Sequence, residues 1–405
     1  MSLRVEHDAL EAGGAARATV LRRLTARDFR NLERLDLEFS PAGAVLVGEN
    51  GQGKTNLLEA IAYLQLLRSV RGVRDVDLVR FGAEAFHVGA EFTRDGERTA
   101  GVGFEKSNRA KRARVDGVVP ERLSDALGAL PSVMFSPGDV ELIAGSPSLR
   151  RRYVDIVLAL TAPHTGYLAA LQRYRGALAR RNAAMRDAAR GHGADAVAVW
   201  EPALAESGGV LVMERLRWVQ AMAPRFSALC AAIGEAGVAG LRYQTSLPVN
   251  DDASLGDVRD ALLASLEHRR GNDIRRGLTH TGPHRDDLCI TIAEDGETGT
   301  ARELRTFGSA GQQRTAAIVL RLLEAETFRE RLGIVPLMLL DDPFAELDVR
   351  RSARILELLR GAALGQTILA VPRASDIPVE LSALPRVAVV NGRVEPMLVA
   401  QAGAA

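Results

Sequence analysis

Lysine is nearly absent from this chain: of 52 basic residues only Lys54, Lys106 and Lys111 are lysine, so arginine carries almost all the positive charge. A lysine kept against that bias points to a task arginine does not do. Cysteine is as scarce, with Cys230 and Cys289 alone in 405 residues. Two are too few for a disulfide framework, and their separation matches no metal-ligand spacing, so they read as buried, inert thiols. Aromatic residues make up 4% of the chain, which speaks against a base-stacking platform for single strands. Net charge is lacking too, with 52 basic against 51 acidic residues, so a polyanionic partner has to be met by a local patch. Residues 1–19 have no continuous apolar stretch of the signal-peptide kind, and no segment reaches the roughly 18–20 apolar residues of a membrane span. The expectation is a cytosolic protein with no membrane partner.

What is present is a globular balance, 47% apolar and 25% charged, enough for about two or three compact units at roughly 150 residues each. Apolar alternation predicts strands around 20–24, 35–39 and 44–47, then a glycine-rich turn and a helix over 57–67. Strands are expected at 86–92 and 101–104, joined at Asp95-Gly96, with another hairpin around Asp116-Gly117. From 148 to about 240 the period turns helical, with Trp200 and Trp218 in the core, a turn at Gly191-His192-Gly193 and no sustained heptad. Strand patterns return at 288–292 and, after Asp295-Gly296, at 300–304. A long helix over 312–331 precedes a strand at 335–340, a helix at 349–359 and strands at 367–371 and 387–390. The outline is an α/β domain, 20–125 and 276–405, interrupted by a helical domain, 126–275, and preceded by an extension, 1–19, expected to be disordered.

Gly48-Glu49-Asn50-Gly51-Gln52-Gly53-Lys54-Thr55 matches G-x-x-x-x-G-K-[ST] at every fixed position, between an apolar strand and an apolar helix. Its glycines let successive N–H groups curl around phosphate oxygens at a helix N-terminus. Lys54 is placed for the β- and γ-phosphates of a nucleoside triphosphate and Thr55 for Mg2+. The apolar run 337–340 ends in Asp341-Asp342, a buried-strand pattern that delivers two carboxylates. Asp341 is expected to complete the Mg2+ shell and Asp342 to orient or deprotonate the attacking water. Phe307-Gly308-Ser309-Ala310-Gly311-Gln312-Gln313-Arg314 opens the long helix, where Ser309 reads equally as a helix cap or as part of an anion site. Arg30 reads equally as a nucleotide ligand or a surface turn residue. His284-Arg285-Asp286-Asp287 reads as a structural loop whose imidazole is satisfied by a neighbouring carboxylate or backbone group. Three basic clusters stand out: Lys106, Arg109, Lys111, Arg112 and Arg114; Arg150 to Arg152; and six arginines over 173–190. Each reads equally as a contact for a nucleic-acid backbone, duplex rather than stacked single strand, or as a solvated face.

The linear order of phosphate loop, long insertion, Ser-x-Gly-Gln helix, Asp-Asp strand and Glu346-Leu347-Asp348 resembles the ATP-binding-cassette and structural-maintenance-of-chromosomes (SMC) ATPases. Less generic strings narrow the resemblance to the RecF family of bacterial recombination mediators. They are Asp28-Phe29-Arg30-Asn31, GENGQGKTNLLEA from Gly48 to Ala60, Phe135-Ser136-Pro137 with Glu141-Leu142-Ile143, Gly145-Ser146-Pro147 before the arginine triplet, Gly282-Pro283-His284-Arg285-Asp286-Asp287, and Gly311-Gln312-Gln313-Arg314-Thr315.

The resemblance implies an α/β fold: a P-loop ABC/SMC-type ATPase head with an antiparallel β subdomain, interrupted by an inserted helical domain. It implies ATP and Mg2+ as cofactors, with Gly48 to Thr55, Asn56 and Arg30 binding nucleotide and Lys54 and Asp342 catalytic. It implies an ATP-induced homodimer in which Ser309, Gly311 and Gln312 touch the partner's nucleotide and Asp348 lies near the interface. Duplex or gapped DNA, RecO- and RecR-like proteins and, indirectly, RecA loaded on single-stranded DNA are the implied partners, with slow, DNA-stimulated hydrolysis timing release. The chain also departs from the family pattern. Leu369-Ala370-Val371-Pro372 lacks the Thr or His expected after that strand, Pro343-Phe344-Ala345 replaces Val-x-Ser, and Gly138 stands where an acid is usual. The missing sensor side chain supports an alternative: a nucleotide-binding scaffold with little ATPase activity that recruits repair proteins. A transporter ATPase fits poorly, given the long insertion.

Overall fold

A computed structural model describes residues 16–190, 193, 195–250, 252–293, 301–344, 349–361 and 365–397. The chain divides into two units, one drawn from 1–136, 325–343 and 358–405, the other from 137–324 and 344–357. The first boundary falls at residue 136 rather than 126 because Ser132–Phe135 is a strand of the first unit's parallel sheet. The second unit continues past 275 because Asp287–Ala293 pairs with Val238–Gln244.

Two large sheets with the helix between residues 54 and 66 make up most of the first unit. In the six-stranded sheet, Arg386–Val390, Gly43–Val47, Thr367–Val371, Leu337–Asp341 and Ser132–Phe135 run parallel, and Arg393–Pro396 closes one edge antiparallel. Gly43–Val47 and Leu337–Asp341 are buried at every residue, which is why their sequences are unbroken apolar runs rather than alternating ones. The five-stranded antiparallel sheet runs Leu32–Glu38, Val20–Phe29, Ala85–Thr93, Glu97–Glu105, Ala110–Val115. Here apolar and polar residues alternate, because one face is covered and the other open. The helix Lys54–Leu66 shares one apolar core with both sheets. Phe29, Tyr63 and Phe86 meet edge to face in that core, with centroids 5.2–5.9 Å apart.

Several sequence expectations change. The strand Ala110–Val115 lies inside what reads as a charge run, because Ala113 faces the core while Arg112 and Arg114 face out. Its hairpin with Glu97–Glu105 turns at 106–109, and the Asp116-Gly117 turn closes only the bridge between Val115 and Val118. The strand expected at 335–340 is split by Pro336 into Ile334–Val335 and Leu337–Asp341, since proline has no N–H for a ladder. The extension is ordered at its end: Arg17–Ala18 pairs with Ile334–Val335, and Thr19 is buried. Residues 1–15 lie outside the described residues, as do Gly191-His192 and Asp295-Gly296. Of the expected 300–304 strand, Thr300 lies outside the described residues, Arg302–Glu303 is extended, and Leu304 begins a short helix.

The second unit carries the helices Pro147–Thr161, Tyr167–Ala188, Glu201–Ile233 and Leu255–Arg276 beside the sheet Val238–Gln244, Asp287–Ala293, Arg302–Glu303. The expectation that no segment is apolar enough to cross a membrane needs correction. By length and composition 195–233 qualifies, with an 18-residue window of mean hydropathy 1.2, but 56% of that window is buried in the protein. It also contains Arg215, which is ion-paired with Asp155 at 2.7 Å, so it is a core helix. Trp218 is fully buried, as expected, whereas Trp200 is half-buried beneath the Arg180 guanidinium, 5.2 Å from its ring. A second buried ionic centre holds Arg181 against Glu201 and Asp273, each at 2.9 Å, and against Thr279 at 2.8 Å.

Candidate nucleotide site

The strand Gly43–Val47 runs into the loop 48–53, and the helix Lys54–Leu66 begins directly after it. Gly51 and Gly53 have φ of 82° and 114°, a region glycine enters without a Cβ penalty. A Cβ on Gly48 would stand 2.3 Å from the Val389 oxygen, so the close approach of that neighbouring strand also demands glycine. The first helical amides have no partner within the helix, and with the helix dipole they form an anion site. Lys54 is buried, and its Nζ donates to the carbonyl oxygens of Gly48 and Glu49. Burial pulls its pKa down, and the carboxylates of Asp341 and Asp342 push it back up.

Thr55 Oγ1 donates to Asp341 Oδ1 at 3.0 Å, joining the loop to the end of the strand Leu337–Asp341. Asp341 is 7% exposed. Burial raises its pKa, opposed by the Thr55 hydrogen bond and by the positive charges of Arg71 and Lys54. A hydroxyl and a carboxylate side by side are hard oxygen donors that suit Mg2+, which takes few protein ligands and completes its shell with phosphate and water. Asp342 turns sharply out of the strand, at φ 45°, with its amide bonded to the Ala370 oxygen at 2.9 Å. As the residue after Asp341 it leaves the strand at the same end.

Arg30 is not the free surface turn residue of one of its two sequence readings. Its guanidinium makes a bidentate pair with Glu59, at 3.0 and 3.2 Å, and Glu59 is fully buried and also accepts from Ser69. An acid in the apolar helix run Leu57 to Leu64 is the sequence signal for such a cation, because a buried charge must be paired. Arg71, whose charge acts on Asp341, and Asn31, hydrogen-bonded to Gln52 and Asn56, are site residues that sequence reading missed.

In the second unit the helix cap at Ser309 is realised. Gln312 N donates to Ser309 Oγ at 3.2 Å and Ser309 N to Gln312 Oε1 at 2.9 Å, a reciprocal cap that leaves Ser309 exposed. A Cβ on Gly311 would stand 2.6 Å from Arg351 Nη1. Asp348 lies outside the described residues.

His284 is structural, as expected. Its Nδ1 is 2.7 Å from the Tyr174 hydroxyl and its Nε2 3.0 Å from the Thr279 oxygen. The basic clusters dissolve only in part into the fold: over 173–190 Arg181 alone of the six arginines is buried, while Arg173, Arg175, Arg180, Arg186 and Arg190 stay exposed. Lys106 donates to the Ala83 oxygen, and Lys111 to the Leu67 oxygen with an ion pair to Asp75. Arg150 is buried on Asp287, Arg151 donates to the Asp286 oxygen, and Arg181 is enclosed. Arg109, Arg112 and Arg114 remain exposed, with no ion pair among the described residues. The last two border a cavity of about 510 Å3 on the open face of the antiparallel sheet, over Gly89, Gly101 and Gly103; no phosphate-loop residue lines it.

A phosphate loop closed by a parallel strand that ends in a metal-competent Asp, with an antiparallel sheet on the same helix and a serine-capped helix beyond a long insertion, defines a P-loop ATPase head of the SMC type. The profile of the RecF/RecN/SMC N terminal domain matches residues 20–377. The chain belongs to the RecF family. It is 33% identical to the DNA replication and repair protein RecF of Nocardioides sp. over 92% of this chain and 98% of that one. With the RecF of Acidothermus cellulolyticus it shares 38% identity over 88% of this chain and 94% of the relative. The solved structure of the recombination mediator protein RecF with ATP, in the RecFOR pathway, superimposes with a TM-score of 0.84 at 30% identity, covering 96% of this chain and all of that one. An Smc head domain from Pyrococcus furiosus shares the fold at 18% identity, with a TM-score of 0.55 over 94% of this chain and 96% of that one.

Proposed function

We propose that this chain is an ATP-dependent DNA-binding protein of recombinational gap repair, cytoplasmic and associated with the nucleoid. ATP and Mg2+ bind at Gly48 to Asn56 with Asp341, and a homodimer then forms in which Ser309, Gly311 and Gln312 of each subunit face the other's nucleotide, with Asp348 near the interface. The dimer holds duplex or gapped DNA and, with RecO- and RecR-type partners, promotes RecA loading; slow DNA-stimulated hydrolysis releases it. The observation that carries this reading is the pairing of Thr55 with buried Asp341 beside Lys54, in a chain whose RecF relatives include an ATP-bound structure. Mg2+ bound there supplies charge neutralisation on the β- and γ-phosphates. Lys54 exchanges its loop carbonyls for phosphate oxygens, and Asp342 orients the attacking water.

On the DNA side, Arg109, Arg112 and Arg114 are the members of the 106–114 cluster free to meet phosphates; Lys106 and Lys111 act by holding that hairpin in place. The test is fluorescence anisotropy of a labelled gapped duplex without nucleotide, with ATP and with a non-hydrolysable analogue, at two salt concentrations. Binding is expected to need nucleotide, to weaken steeply with salt and to vanish in Lys54→Ala. Binding indifferent to nucleotide and to Lys54 overturns the proposal.

A second reading rests on Pro372. The strand Thr367–Val371 ends against the phosphate loop, with Gly48 N donating to the Val371 oxygen at 3.3 Å, and the next side chain offers no hydrogen-bonding group. On this reading the chain is an ATP-binding scaffold with little turnover. Phosphate release by the native chain that disappears in Asp342→Asn counts against it.

A further inference from the structure

Two elements remote in sequence hold the phosphate loop, and their hydrogen bonds converge on Gln52. On one side the Asn31 side chain donates from Nδ2 to the Gln52 main-chain oxygen at 3.2 Å and accepts on Oδ1 from Asn56 Nδ2 at 2.8 Å. On the other, the C-terminal hairpin presents two backbone amides. Gly392 N donates to the same Gln52 oxygen and Asn391 N to Gln52 Oε1, each at 2.7 Å. Asn391 and Gly392 have φ of 49° and 76°, the two-residue turn that Asn-Gly favours between antiparallel strands. The hairpin strand Arg386–Val390 pairs in parallel with Gly43–Val47, the strand that enters the loop, so the sheet itself sets where the turn sits. The packing leaves no slack around Asn31: a Cβ on Gly392 would stand 2.2 Å from its main-chain oxygen, and one on Gly53 2.8 Å from its Oδ1.

The consequence follows from peptide geometry. In a planar trans peptide the C=O and the next N–H point in opposite directions. Holding the Gln52 carbonyl toward Asn31 and the hairpin therefore aims the Gly53 N–H the other way, away from both. With both lone pairs of that carbonyl engaged, the peptide cannot rotate without breaking two bonds at once.

We propose that Asn31 and the Asn391-Gly392 turn are positioning residues of the nucleotide site, and that the C-terminal hairpin is a strut that presets the loop in its anion-binding form. The proposal rests on the reading that the loop binds ATP. It is tested by calorimetric titration of the full chain with ATP and Mg2+ in the native protein, Asn31→Ala, Gly392→Ala and the double variant. Amide hydrogen exchange of the ligand-free loop is followed in parallel. Each single change is expected to weaken ATP binding about tenfold, the equivalent of one or two net hydrogen bonds, and to speed exchange at 49–56. The double variant is expected to lose less than the product of the single losses, because both changes act on one carbonyl. A native chain that does not bind ATP removes the nucleotide reading itself. A native chain that binds, with both single variants binding as tightly or with losses that multiply independently, overturns the strut alone. Should Asn31→Ala not fold, Gly392→Ala decides through the same two readouts, because exchange confined to the loop separates positioning from general loosening.

Discussion

His284 sits between Tyr174 and Thr279 as a neutral ring: Nε2–H donates to the Thr279 oxygen and Nδ1 accepts from the Tyr174 hydroxyl. A second proton on Nδ1 would face that hydroxyl and force it to turn away. Burial carries the pKa down from 6.5 to about 4; the Thr279 carbonyl opposes the fall, and the positive charges of Arg285 and Arg151 add to it. The unfolded chain thus binds this proton at a higher pH than the native one, so stability is full above about pH 6.5 and is lost as pH falls toward 4. The whole effect is on the order of 3 kcal/mol, and about 2 kcal/mol is gone by pH 5. Both tryptophans belong to the second unit, so urea unfolding followed by tryptophan fluorescence reports on the unit that holds His284. Measured at pH 7.5 and pH 5, the native chain is expected to lose about 2 kcal/mol more than His284→Gln, which starts less stable but does not titrate. Asp286 nearby is pushed the other way, its pKa raised by burial, and it is common to both proteins, so the difference isolates the imidazole. Equal losses in the two would refute the assignment of a neutral, doubly bonded His284.

Arg181→Met should destabilise the second unit by about 3 kcal/mol, since it leaves Glu201 and Asp273 buried with, among the described residues, only Arg270 and His280 as ion-pair partners; the same fluorescence assay reads it, and a loss under about 1 kcal/mol would mean water replaces the guanidinium. Asp341→Asn should abolish the tightening of ATP binding by Mg2+ while sparing metal-free binding, because Thr55 keeps only a neutral neighbour. Titrations with and without Mg2+ check this, and an unchanged Mg2+ effect would move the metal site elsewhere.

Much of this protein was legible as a string because its chemistry is local. The phosphate loop is eight consecutive residues whose glycines, lysine and threonine each have a task set by backbone geometry, and the strand before them is apolar because both faces are covered. Asp341 and Asp342 followed from the same logic, as did the structural role of His284. Reading charge by proximity in sequence worked only in part: five of the six arginines over 173–190 are exposed, but the other two clusters are broken up. Lys106 to Arg114 looks like one basic patch, yet the alternation of a strand sends Arg112 and Arg114 to the open face, while Lys111 packs on the Tyr63 ring and pairs with Asp75. Arg150 and Arg181 look like surface charge and are buried, because carboxylates 137 and 20 residues away fold against them. Arg30 is held by Glu59, and Asn31 by Gln52 and Asn56, only once the antiparallel sheet lies over the helix Lys54–Leu66. Short-range sequence determined where the glycine-rich loop meets its helix and where the buried strand delivers its carboxylates. Which arginines stay free, and what holds the loop still, depend on partners brought together by sheet pairing across the chain, and only the tertiary structure decided them.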